Sequence, residues 1–279
     1  MYGCNNFCPY CIVPYVRGRE RSRKPSSILA EIKELAKDGY KEVTLLGQNV
    51  NSYQGDGENG IYNFADLLRS IQEIDGIEVF HFISPHPKDF TDEVIQAIHD
   101  CPKVSRILHL PLQSGSSRVL KLMNRKYTKE QYLQLVKKIR AKIPDIVFST
   151  DIIVGFPNET EEDFEDTLNY CKQIGFAKIH VFPYSDRNGT VASRMRDHVP
   201  RTIVKERARK LIELSDSLEK EYFKKFINTE EEVLVEEFKN DYYHGFTENY
   251  IPVKLKEATP NKIVKVKLTK ENINYNLED

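Results

Sequence analysis

Three cysteines stand within the first eleven residues, Cys4, Cys8 and Cys11, in the spacing C-x3-C-x2-C. Thiolates are soft ligands, and three on one short loop can each bind one iron of a cubane cluster. Such clusters are usually held by four cysteines. Three leave one iron open to a substrate. A structural zinc site reads differently: it takes four ligands, often as C-x2-C pairs with a later pair or a His. Here no Cys or His follows Cys11 until His81. The chain has five cysteines, an odd number with one tight cluster. That pattern argues against a disulfide framework and for metal binding in a reducing compartment. Cys101 and Cys171 stand alone in or near helical patterns and read as packed thiols.

An open iron can be chelated by the amino and carboxylate groups of S-adenosylmethionine (SAM). Electron transfer then breaks a carbon–sulfur bond, and a 5′-deoxyadenosyl radical abstracts hydrogen. The cofactors carry this chemistry, and the protein supplies positions.

Those positions need a scaffold. With 279 residues the chain can form one large domain and a small one. Its 40% apolar and 30% charged residues suit a globular protein. No apolar run approaches the roughly 20 residues of a membrane helix, and no leader opens the chain. The cytoplasm is the expected location, with no membrane partner. The net charge is −1, so any nucleic-acid contact must come from local basic patches.

Strand and helix alternate through the first two hundred residues. Apolar strands are predicted over 41–46, 78–84, 106–111, 146–155 and 178–183. Amphipathic helices fall between them, with cap candidates Asn63, Thr91, the Thr128/Gln131 pair and the Thr160/Asp163 pair. Alternation of this kind means a parallel sheet with βαβ crossovers. A sixth strand is expected ahead of Cys4, where almost no residues exist to form it. Either the chain is cut from a longer protein, or Met1 sits inside that strand. The predicted architecture is α/β: a partial (β/α)6 TIM-like barrel with its active site at the C-terminal strand ends. After Pro200 one long helix is predicted over 201–226, followed by short β segments. Ile251, Val253 and Leu255 alternate with Lys254 and Lys256. Val264, Val266 and Leu268 alternate with Lys265 and Lys267. This describes a small antiparallel barrel with one wet, basic face. The expected domains are 1–212 and 213–279.

The segment GCNNFCPYCIVPYVRGRERSR resembles the radical-SAM motif of the methylthiotransferases, which install a methylthio group on tRNA adenosine. The resemblance continues through LLGQNVNSY, LPLQSGSSRVLKLMNRKYT and TDIIVGFPNETEEDF and covers nearly the whole chain. The C-terminal barrel is similar to the TRAM domain, an RNA-binding module. The resemblance implies a [4Fe–4S] cluster on Cys4, Cys8 and Cys11, with SAM on its open iron. Tyr10 would lie beside the SAM adenine. Gly47 and Gln48 occupy the position that binds the SAM amino group, with neutral amides in place of the Gly-Gly-Glu of many relatives. Arg125 would reach the SAM carboxylate or ribose. Asp151, Val154 and Phe156 end the strand whose backbone pairs with the adenine edge. Gln113 and Ser114 precede a helix start, which can hold an anion such as the SAM carboxylate; the same serines can simply cap a turn. Asn158 replaces a usual Gly and tolerates a left-handed turn.

Arg17, Arg19, Arg21 and Arg23 alternate after the cluster motif. Extended, they would share one face and could grip phosphates, or form a solvated run that Glu20 partly offsets. Lys254, Lys256, Lys265 and Lys267 are a second candidate RNA surface, or lysines that block edge pairing. The long Gly-rich loop 47–63 reads as a lid or substrate wall, or at its tip, 55–60, as a surface insertion. His86, between two prolines, reads as a rigid turn.

The expected function is a tRNA adenosine 2-methylthiotransferase core acting at C2 of an N6-modified adenosine at position 37. The C-terminal third favours threonylcarbamoyladenosine (MtaB type). Isopentenyladenosine (MiaB type) and a ribosomal protein are the alternative substrates. A non-catalytic iron–sulfur RNA-binding module and an electron carrier are the readings outside this class. Expected partners are tRNA and an electron donor such as flavodoxin or ferredoxin. The family carries a second [4Fe–4S] cluster in an N-terminal domain that this sequence lacks. The chain alone is therefore expected to cleave SAM without completing sulfur insertion.

Overall fold

The computed structural model describes residues 1–57 and 60–277. A short helix, α1 (Val13–Val16), follows the cysteines, and α2 (Pro25–Lys37) starts on a proline at its first position. Five parallel strands follow: β1 (Glu42–Leu45), β4 (Val79–Phe82), β5 (Ile107–His109), β6 (Val147–Val154) and β7 (Lys178–Pro183). β1 pairs with β4, and β5, β6 and β7 pair in that order. A parallel bridge from Phe80 to Val104 joins the two groups, so the strands are neighbours in chain order. The sixth strand expected ahead of Cys4 is not formed among the described residues. Only three residues precede Cys4, and Tyr2 instead makes an antiparallel bridge to Arg21.

Helices cross between the strands as the sequence predicts: α3 (Phe64–Gln72), α4 (Asp92–Asp100), α5 (Ser117–Leu122), α6 (Lys129–Lys142) and α7 (Glu161–Ile174). Asn63, Thr128 and Thr160 close capping boxes, and Thr91 caps α4. Within loop 47–63, β2 (Gln54–Gly57) and β3 (Gly60–Asn63) form a hairpin. The tip was expected to be a surface insertion; its residues 58 and 59 lie outside the described residues.

β6 sets the logic of the sheet. Phe148, Thr150, Ile152 and Val154 are buried on one side, and Val147, Asp151 and Ile153 are half-buried on the other. Phe148, Ile152 and Val154 join the main core under the helices. The opposite row faces the inner side of the sheet, which is where chemistry can be housed.

The long helix α8 (Arg201–Lys224) runs unbroken through the expected division at 212/213. Its apolar side chains join the main core through Leu218 and the C-terminal core from Tyr222 onward. Beyond it β8 (Glu230–Lys239), β9 (Tyr242–Thr247), β10 (Pro252–Leu255) and β11 (Lys262–Lys267) make an antiparallel sheet in the order β10-β9-β8-β11.

Asp163 ties two strand-end loops together. Its carboxylate accepts from Ser116 Oγ at 2.7 Å, from Thr160 N at 2.8 Å and Oγ1 at 2.7 Å, and from the Arg118 guanidinium. Burial opposes its charge, but these bonds hold the carboxyl well below the usual carboxylate range. A depressed carboxyl stabilises the fold above its unfolded pKa and loses that contribution as pH falls through the folded one. Asp163→Asn is expected to destabilise by about 1–3 kcal/mol at neutral pH. Thermal melts of the two proteins should converge as pH drops below about 4. A gap that stays constant with pH would refute this role.

Candidate active site

The cysteine loop is closed at its neck. Tyr2 and Arg21 exchange backbone bonds of 3.0 and 2.8 Å, and Cys4 N donates to Gly18 O at 3.1 Å. Gly3 has φ +73°, and a Cβ there would meet Arg19 O at 2.1 Å, so only glycine fits the neck. Cys11 N donates to Cys8 O at 2.8 Å, turning the C-x2-C segment. Cys4 and Cys8 are buried and Cys11 is half-buried. Burial pushes the Cys4 and Cys11 thiols up from their ordinary value, so metal loading would release protons.

The neighbouring strand ends hold this loop. Glu20 accepts from Asn5 N at 3.2 Å, Ser52 Oγ at 3.1 Å and Asn49 Nδ2 at 3.3 Å, which binds the loop to the segment after β1. Asn124, just past α5, donates to the carbonyls of Asn6 and Phe7 at 3.3 and 3.2 Å. Ala192 N, beyond β7, donates to Pro9 O at 2.9 Å. Tyr10 packs edge-to-face on Phe156, 6.3 Å between centroids, in a cluster with Ile153 and Val119. The loop therefore lies at the C-terminal ends of the parallel strands.

Among the described residues, no three His, Cys, Asp or Glu side chains converge as a single metal ion would need. A cubane takes one thiolate per iron, and three soft thiols on a buried loop suit that donor set. A second observation bears on the ligand of an open iron. Asn49 is buried, its amide donating to Asp89 at 2.7 Å and to Glu20, and its Oδ1 has no partner. A lone buried acceptor beside two carboxylates suits an ammonium group. Sequence reasoning chose Gln48, one residue earlier; Gln48 is only half-buried and lines an outer groove beside Met1. A Cβ added at Gly47 would lie 3.1 Å from Val50 Cα, so the turn there is tight.

The other expected residues divide. Arg125 donates to Tyr127 Oη at 2.8 Å, to Pro111 O at 3.1 Å and toward Cys8 Sγ at 3.7 Å, directly beneath the loop. Gln113 sits at φ +75°, and its backbone continues the β5–β6 ladder to Asp151 and Ile153. Ser114 turns away from the loop. Its Oγ meets Thr167 Oγ1 of α7 at 3.3 Å, and Ser116 caps α5, so these serines are turn and cap groups. Val154 points into the main core while its carbonyl accepts from Tyr184 N at 2.8 Å. Asp151 faces inward to His109 Nε2 at 3.3 Å, and the rings of His109 and His180 lie 5.6 Å apart. The two histidines were missed in the sequence. Their inward alternation with buried neighbours on β5 and β7 was the available signal. Asn158 has φ +66°, the left-handed turn expected. His86 is buried with its ring accepting from Lys88 N, and burial takes its pKa down to about 2, consistent with a rigid turn. Cys101 and Cys171 are buried, their thiols pushed up to about 11 and about 12.

The two basic rows are weaker than their sequence suggests. Arg17, Arg19 and Arg21 are exposed, but Arg23 is paired to Glu31 at 2.6 Å. Lys265 and Lys267 lie in register opposite Glu232 and Glu230. Lys254 lies on β10 and Lys256 just after it, with two strands between β10 and β11 in the sheet order, and Lys254 stands over the Tyr242 ring. One lysine pair therefore has glutamates opposite it, and in the other Lys254 packs on an aromatic ring.

The sequence profile of the radical SAM superfamily matches residues 1–171. A tRNA-2-methylthio-N(6)-dimethylallyladenosine synthase of Clostridium beijerinckii is 54% identical over 277 residues, 98% of this chain and 61% of that protein. The enzyme of the same name from Acetivibrio thermocellus is 56% identical over 236 residues, 85% of this chain and 49% of that one. The chain thus spans about half to three-fifths of these relatives. The cobalamin-containing radical S-adenosylmethionine methyltransferase of Kitasatospora setae superposes with a TM-score of 0.56 at 17% identity, covering 69% of this chain and 37% of that one. At that identity the likeness is one of fold.

Removing the Glu20 carboxylate should loosen the loop before iron arrives. Glu20→Ala is expected to weaken iron retention roughly ten- to a hundred-fold, read as iron release to a chelator after anaerobic reconstitution. Release at the wild-type rate would contradict the role given to Glu20.

Proposed function

The chain belongs to the radical SAM superfamily, and from that premise we propose that it is the catalytic core of a tRNA methylthiotransferase acting on an N6-modified adenosine. The carrying observation is the closed loop of Cys4, Cys8 and Cys11 at the C-terminal ends of the parallel strands. When bound, a [4Fe–4S] cluster with SAM supplies reductive cleavage of SAM and hydrogen abstraction. The chain's own residues position the partners. Cys4, Cys8 and Cys11 hold the iron. Asn49 Oδ1 accepts the SAM ammonium, with Gly47 and Gln48 shaping the turn beside it. Arg125 supplies the cation nearest the loop for the SAM carboxylate. Tyr10 and Phe156 wall the adenine, against the backbone from Asp151 to Val154.

The five strands are read as most of a partial (β/α)6 barrel, and the C-terminal sheet as a TRAM-like RNA-binding unit. A division within α8 is supported by its change of core between Leu218 and Tyr222. Arg17, Arg19 and Arg21 are the stronger candidates for phosphate contact, since they are exposed beside the loop. A tRNA substrate implies the cytoplasm and an external reductant of the flavodoxin or ferredoxin type. Among the described residues no helix is long and apolar enough to cross a membrane.

The C-terminal sequence blocks favour threonylcarbamoyladenosine, but both relatives above are named for the dimethylallyl substituent. The dimethylallyl (isopentenyl) reading is therefore preferred. Sulfur insertion by the whole protein would draw on a second cluster held outside this chain's five cysteines.

Anaerobically reconstituted chain with dithionite and SAM is expected to form 5′-deoxyadenosine, counted by chromatography. Cys8→Ala should abolish the product. A well-formed cluster that gives no product in the wild-type chain would turn the reading toward a structural or electron-carrier role.

A further inference from the structure

The inner row of β6 runs from the cysteine loop into a cavity. Ile153 packs beside Tyr10, Asp151 follows, and Ser149 lines a space of about 390 Å³. From Ile153 to Ser149 is four strand residues, about 13 Å. Ile83, Ile107, His109, His180 and Tyr250 line the same space. The β9–β10 turn closes its far end. Glu248 O accepts from Ser105 Oγ at 3.3 Å, Asn249 O accepts from Tyr222 Oη at 3.2 Å, and the Tyr250 ring meets His81 at 5.7 Å.

The charge state of this cavity is specific. Its lysine, Lys178, is paired with Glu219 at 2.6 Å. His81 faces Glu42 at 3.0 Å. His109 lies between Asp151 at 3.3 Å and Ser149 Oγ at 3.1 Å. Burial lowers the pKa of His180 below the ordinary histidine value. An incoming carboxylate would find Lys178, His81 and His109 already matched by acidic groups, and would be desolvated against an occupied set of partners. An uncharged chain would meet Ile83, Ile107 and Phe223.

In adenine, C2 and the N6 substituent project in different directions from the six-membered ring. With C2 turned to the cysteine loop, the substituent extends along the inner row. Resting on the function proposed above, we propose that this cavity receives an uncharged, apolar N6 substituent of the target adenosine and rejects one bearing a carboxylate. The chain would thereby select its substrate by a matched-charge pocket distant from the cluster.

The test uses the reconstituted full chain and three labelled anticodon stem-loop RNAs. They carry adenosine, N6-dimethylallyladenosine or N6-threonylcarbamoyladenosine at the target position, and binding is read by fluorescence anisotropy. The dimethylallyl RNA should bind roughly ten-fold or more tightly than the other two. Ile107→Phe, which fills the cavity, should bring the dimethylallyl-to-adenosine ratio toward one. Ile83→Lys, at a position 41% exposed and so able to take a charge without unfolding, should shift preference toward the threonylcarbamoyl RNA. Melting curves of both variants separate loss of preference from loss of fold. Equal binding of all three RNAs by the wild type would overturn this proposal and leave the tRNA reading standing. So would an unchanged preference in both folded variants. Failure of the wild type to bind any of the RNAs would overturn the tRNA reading, and this one with it.

Discussion

The structure turns on the Glu20 carboxylate. It lies in the returning limb of the cysteine loop and takes hydrogen bonds from Asn5 inside that loop and from Asn49 and Ser52 beyond β1. A carboxylate can accept about four such bonds, and here they come from two segments distant in sequence, one holding Asn5 and the other Asn49 and Ser52. Through it the sulfur-bearing loop and the buried acceptor Asn49 Oδ1 are held in one frame. Without that frame the three thiols would sit on a glycine-necked loop free to swing. The rest of the sheet supplies further anchors, Asn124 after β5 and Ala192 after β7. The loop is thus braced by the ends of several strands, the arrangement that a site assembled at strand C-termini requires.

A second constraint runs down the inner side of the sheet. Polar groups there are matched in pairs, His81 with Glu42, His109 with Asp151, Lys178 with Glu219. Each pair limits the desolvation cost that either member would carry alone. The same matching leaves a largely apolar space whose charged groups are already paired. The C-terminal sheet takes part in this directly, because its β9–β10 turn forms one wall through Tyr250. The C-terminal sheet and the parallel sheet are therefore mechanically joined, with α8 contributing to both cores.

What could be read in the sequence was local. The cysteine spacing, the capping pairs Thr128/Gln131 and Thr160/Asp163 and the left-handed Asn158 each depend on residues a few positions apart, and each is found in the structure. The five strands were legible because apolar runs bounded by turns leave few other choices. What could not be read was pairing over distance. Lys265 and Lys267 looked basic until β8 placed Glu232 and Glu230 opposite them. The Ser114 hydroxyl has a partner, Thr167 of α7, that lies 53 residues away in sequence. The His109–Asp151–His180 group draws on three strands, and the alternation within each strand does not show that the three meet. Asn49 and Gln48 are both amides, and only the fold shows that Asn49 is the buried one. In the loop 47–63 the hairpin was hidden by its glycines, which read as flexibility although Gly55 and Gly57 lie in a paired strand.

The central claim is that three thiols hold a cluster with one iron left for SAM. Reduced, reconstituted protein examined by electron paramagnetic resonance, with iron and sulfide counted, tests it most directly. The account requires about four iron and four sulfide per chain and a cluster spectrum that changes when SAM is added. A single tightly held metal ion per chain, or a cluster whose spectrum ignores SAM, would contradict it.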